Sequence, residues 1–123
     1  GLQFFHVRDL CRFMDILLEK KPVQHVFNVG NDEMVSIADW VTACYNAAGK
    51  TPELIPVREP VEQRNYFSFY DYEYRLDVSA QKQWMPDTMP LADGLKEAYE
   101  WYQTHADCVR RKDFISYIDE HFV

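Results

Sequence analysis

The apolar positions of the first part of the chain come in two kinds of spacing. Residues 2–7 and 25–29 are short runs rich in bulky and β-branched side chains, and each reads as a short buried strand. Between them Leu10, Phe13, Met14, Leu17 and Leu18 recur at the i, i+3, i+4, i+7, i+8 spacing of one helix face. Asp9 stands where a carboxylate can cap that helix, and Lys20-Lys21-Pro22 suits its end. The pattern predicts a strand–helix–strand unit at the very start of the chain.

Further along, Gly30-Asn31-Asp32 reads as a turn, and Ser36 with Asp39 three residues later opens a second helix in the manner of a capping box. Ile37, Trp40, Val41, Cys44 and Ala48 form its apolar stripe, and Gly49 suits a left-handed C-terminal position. Residues 53–57 read as a third strand. Asp77 or Ser79 caps a short helix that Trp84-Met85-Pro86 breaks, and Pro90 opens another with Leu91, Leu95, Ala98, Tyr99 and Tyr102 on one face. Phe114, Ile115, Ile118 and Phe122 mark a last amphipathic helix. The expected fold class is therefore mixed α/β, a few short strands with about four to five helices in one small domain.

Composition adds limits. Hydrophobic residues make up 47% of the chain and aromatic residues 15%, enough to build a core. The formal charge of −7 repels phosphate backbones and disfavours general nucleic-acid binding. Cys11, Cys44 and Cys108 are an odd set without metal-ligand spacing. Cys11 and Cys44 fall on apolar helix faces and are expected to be buried; reduced thiols suit a cytoplasmic protein. No run approaches the roughly 20 apolar residues of a membrane span.

Candidate chemistry is sparse. The chain contains no glycine-rich phosphate loop, and its histidines, at 6, 25, 105 and 121, lack ligand-like spacing. His6 reads more readily as a hydrogen-bonded structural residue than as a catalytic one. Arg58 and Arg64 flank a polar stretch and are either solvated or phosphate-gripping, since a guanidinium can hold two phosphate oxygens at once. The segment with Tyr66, Phe67, Phe69, Tyr70, Tyr72 and Tyr74 either packs over the domain or offers a stacking surface to a ring-shaped ligand.

Taken in order, several segments resemble the extended short-chain dehydrogenase/reductases, the NAD-dependent sugar epimerases and dehydratases. Phe4-Phe5-His6-Val7-Arg8-Asp9-Leu10-Cys11 resembles their F-[IF]-H-V-x-D-[LV]-[AC] segment, and Val26-Phe27-Asn28-Val29-Gly30 their Y-N-[IV]-G strand. Ser36-Ile37-Ala38-Asp39-Trp40 is similar to the next helix start, and Ala48-Gly49-Lys50 to its end. Leu76-Asp77-Val78-Ser79-Ala80, Trp84-Met85-Pro86 and Leu91-Ala92-Asp93-Gly94-Leu95 with Trp101-Tyr102 follow in the family's order.

The resemblance covers about residues 2–103 and implies the substrate-binding, C-terminal part of such an enzyme. Residues 1–30 would pack on a Rossmann sheet, 31–103 would form the substrate lobe, and 104–123 a helical extension. The family's GxxGxxG loop and Tyr-x-x-x-Lys pair are absent from this chain. So the chain itself is expected to hold no cofactor, with NAD or NADP bound by the missing Rossmann domain, its expected partner. A nucleotide sugar is the implied ligand. Gln3 (or Leu2) stands where many members carry an arginine on the substrate diphosphate, and Arg64 is the nearest candidate for a second such arginine. Gln3, His6, Arg64 and Tyr70 are the candidate substrate-binding residues; no catalytic or metal-binding residue is assigned. Two rival readings stand beside this one. The first is an RNA-associated protein on the same scaffold, faintly similar to the chloroplast stem-loop-binding branch and resting on Arg110-Arg111-Lys112 and the aromatic segment. The second is a ligand-free interaction module. Unpaired strand edges predict a homo-oligomer.

Overall fold

A computed structural model describes residues 1–55 and 74–110. Its elements are α1 (Val7–Lys20), α2 (Ile37–Ala47), α3 (Ser79–Trp84) and α4 (Leu91–Thr104), followed by a short 3₁₀ turn at Ala106–Cys108. No strand is present among the described residues. The α/β expectation is therefore wrong, and the described structure is helical. Residues 2–7 and 25–29, and 53–55 of the third expected strand, do not pair into a sheet; positions 56 and 57 lie outside the described residues. What survives is one antiparallel bridge between Leu2 and Val35, whose N–H and C=O groups exchange bonds of 2.8 and 2.9 Å.

The physical reason lies in how the extended segments satisfy their backbones. A strand needs a row of main-chain partners. Here two glutamine side chains take that place. Gln3 accepts from Leu76 N–H at 2.6 Å and donates to the Leu76 and Asn31 carbonyls at 3.2 and 2.9 Å. Gln81, 1% exposed, accepts from Gly30 N–H at 2.8 Å and donates to Gly30 C=O at 3.1 Å. A side-chain amide carries one acceptor and a donor pair, so it can close on a peptide group as a second strand would, but for one residue only. Pairing stops there and no ladder grows.

The helices follow local signals. His6, extended at φ −73° and ψ 137°, caps α1 by accepting from Arg8 N–H at 3.2 Å. Asp9, expected as the cap, instead lies within the first turn, buried, and accepts from Met89 N–H at 2.5 Å. At the other end Lys21 takes the left-handed conformation, φ 45°, and its N–H reaches Leu17 C=O at 2.9 Å. Ser36 opens α2 with a reciprocal pair: its Oγ accepts from Asp39 N–H at 3.1 Å and donates to the Asp39 carboxylate at 2.6 Å. Gly49, φ 69°, closes it.

The core is small. Phe13, Val78 and Met85 are its buried apolar residues among those described, with the Phe27 ring set edge-on to Phe13 at 5.4 Å. Phe4 stacks on Trp40 at 5.5 Å. α2 packs on α4 and α1 touches α3. Of the α1 stripe read from sequence only Phe13 is buried; Leu10, Met14 and Leu18 are exposed. Cys11, expected to be buried, is exposed as well, whereas Cys44 is partly covered and burial raises its thiol pKa. A stripe is a necessary condition for burial, not a sufficient one, because another layer must lie against it.

Candidate functional site

The loop between α3 and α4 is held by side chains of α1 and by Asn31. Pro86 and Pro90 keep it from continuing either helix. Asp9 pins it through Met89 N–H, and Arg12 pins it through a bond to Asp87 C=O and a 3.2 Å contact to the Met85 sulfur. Asn31 Nδ2 adds a bond to Met89 C=O at 3.3 Å. Two clefts flank this loop. One, of about 310 Å³, runs between the loop and Gly30, Asp32, Gln81 and Lys82. The other, of about 400 Å³, lies against Arg8, Asp9, Arg12 and Asp93.

A charge cluster forms on Asp32, which with Lys82 lines the first cleft. Arg75 Nη2 meets the Asp32 carboxylate at 2.6 Å and its carbonyl at 2.8 Å, and Lys82 Nζ meets the same carboxylate at 2.5 Å. The hydrogen bond from Lys82, then that from Arg75, holds the Asp32 carboxyl below its ordinary range. Asp77 is also held low, by its hydrogen bonds with Ser79, of which the Ser79 N–H contact is 2.9 Å. Arg75 and Lys82 come from different segments yet converge on one anionic group. A guanidinium and an ammonium so placed have the chemistry to grip a phosphate.

The residues expected at the site fall elsewhere. Gln3 is consumed as a backbone partner of Leu76 and Asn31, with both ends of its amide engaged. His6 is a helix cap whose ring lies against Gly94; a Cβ at Gly94 would stand 3.1 Å from His6 Cδ2. Neither lines either cleft. Arg64 and Tyr70 lie outside the described residues, as do most of the aromatic segment, Arg111, Lys112 and the last amphipathic stripe. Sequence reasoning passed over Asp32, Arg75 and Lys82.

The described residues hold no cluster of three or more metal-ligating side chains and no helix long and apolar enough to cross a membrane. Compared with known proteins, the chain matches no family model, no curated protein and no solved structure.

Proposed function

We propose that this chain is the substrate-binding portion of an NAD(P)-dependent nucleotide-sugar epimerase or dehydratase, working with a nucleotide-binding domain that the same protein supplies. One observation carries the reading: the segments that resemble the family meet one another in space. His6-Val7-Arg8-Asp9 meets the segment around Gly94 through the His6 ring, through Arg8 on Glu97 at 2.6 Å, and through Asp9 on Met89. Residues 26–30 meet residues 77–81 through Asn28 on Asp77 C=O at 3.1 Å and through the Gln81–Gly30 pair.

In this reading Arg75 and Lys82 face the diphosphate of the nucleotide sugar, exchanging Asp32 for phosphate oxygens. A nicotinamide cofactor held by the other domain would supply hydride chemistry at a sugar carbon, and the acid–base tyrosine would belong to that domain as well. The chain alone binds no NAD(P) and turns nothing over. Its three unpaired thiols support a cytoplasmic setting.

Calorimetry on residues 1–123 tests this. A nucleoside-diphosphate sugar is expected to bind weakly, with the Arg75→Ala and Lys82→Ala variants each losing affinity, and NAD⁺ and NADP⁺ are expected to give no heat. Tight dinucleotide binding by the chain alone, or sugar-nucleotide binding indifferent to both substitutions, overturns the proposal.

A further inference from the structure

One side of α1 is bare. Val7 is 67% exposed, Leu10 37%, Met14 54% and Leu18 71%, and Cys11 among them is exposed too. At about 100° per residue these positions share a single stripe. Arg8, Asp15 and Glu19 border it on one edge, and the half-buried Leu17 on the other. The steps from Val7 to Cys11 to Met14 to Leu18 run four, three, four, which is the spacing of a two-helix seam.

The stripe is complementary to itself in one orientation. Laid antiparallel with Cys11 opposite Met14 of a second copy, Val7 falls opposite Leu18. Arg8 then comes beside Asp15 on one edge, and Leu10 beside Leu17 on the other. Symmetry repeats each pairing, so the arrangement is isologous and closed. A parallel register sets Asp15 beside Leu10 and gives Arg8 no opposite charge. Arg8 already donates to Glu97 through Nη2, which leaves the other N–H groups of its guanidinium for a second carboxylate. No partner is present for Asp15 among the described residues.

We infer that residues 1–123 associate with a second copy of this chain through an antiparallel α1–α1 seam, with Arg8 of each copy facing Asp15 of the other. This is independent of the proposed function and holds where no nucleotide-binding domain is docked on α1. A nucleotide-binding domain packed on residues 10–21 would cover the same stripe, so the two occupants exclude each other. The inference concerns the chain of residues 1–123 by itself.

Sedimentation velocity over a concentration series tests it. The unaltered chain is expected to pass from monomer to dimer. Asp15→Arg sets arginines against each other across the seam, and Arg8→Asp sets aspartates. Each alone is expected to raise the dissociation constant about tenfold, as two exposed pairs turn from attraction to repulsion. Mixing the two variants restores both opposite-charge pairs, and a heterodimer is expected at least as readily as the original dimer. A general loss of packing would not be repaired by mixing, and circular dichroism of each variant confirms that the helices remain. A chain that stays monomeric throughout, or a mixture no better associated than either variant alone, overturns the inference. The calorimetric test of sugar-nucleotide binding can fail or succeed independently of either result.

Discussion

Gln81 and Gly30 form a closed two-bond pair, side-chain amide to backbone amide, with the glutamine almost wholly out of water. The pair joins α3 to the segment that follows residue 29, across 51 positions of chain. It does for one residue what a neighbouring strand would do for several.

That pairing makes Gln81 costly to remove. Gln81→Leu fills much the same volume but leaves Gly30 N–H and C=O buried without partners. A buried donor or acceptor left unmade costs about 1–3 kcal/mol. Urea denaturation is expected to show a loss of about 2–4 kcal/mol for both groups together. A loss below 1 kcal/mol, on the order of an ordinary exposed bond, would mean that water reaches the site.

Gly94 and His6 should behave as a coupled pair. Alanine in a helix interior is favoured over glycine by about 1 kcal/mol. At Gly94 the new Cβ meets the His6 ring at 3.1 Å, so that gain is expected to vanish in the unaltered chain. In a His6→Ala background the ring is gone and Gly94→Ala is expected to stabilise by about 1 kcal/mol. A double-mutant cycle reads the difference, and strict additivity would contradict the contact.

Lys21 holds a left-handed conformation that side chains with a Cβ rarely adopt. Lys21→Gly is expected to raise stability by about 0.5–1 kcal/mol, since the C-cap bond to Leu17 needs only the backbone. Lys21→Ala, which keeps the Cβ, is expected to gain nothing. The comparison of the two thermal midpoints separates backbone strain from any role of the lysine charge.

The acid limb of the stability curve should trace to Asp32 and Asp77. Both carboxyls are held low in the folded chain, Asp32 first by Lys82 and Asp77 first by Ser79. A depressed carboxyl contributes stability above its unfolded value, near pH 4 for aspartate, and loses it as pH falls through the folded value. The denaturation midpoint is expected to fall below about pH 4. Asp32→Asn should flatten part of that fall, and so should high salt, because the cluster is exposed. An unchanged acid limb in Asp32→Asn would assign it to other groups.

Much of the helix content was legible in the residues themselves. Ser36 and Asp39 mark the start of α2 and Gly49 its end because caps are made of neighbours in sequence. Pro22 and Pro90 bound α1 and α4 for the same local reason. Strands cannot be read that way. Residues 2–7 have the composition of a strand, but a strand exists only where another backbone supplies its bonds, and here Gln3, Gln81 and a single Leu2–Val35 bridge supply them instead.

The site divides along the same line. From the sequence, His6, Asp9, Gly30, Asp77 and Gly94 could be placed only in their separate short segments. Which of them hold the chain and which face outward was not visible, because that depends on contacts spanning most of its length. Tertiary structure made Gln3 and His6 into supports, buried Asp9 and bonded it to Met89, and set Arg75 and Lys82 on Asp32, which lines a cleft. It also left the α1 stripe bare: periodicity alone determines that one side of a helix is apolar, while only the neighbouring layers decide whether that side is covered.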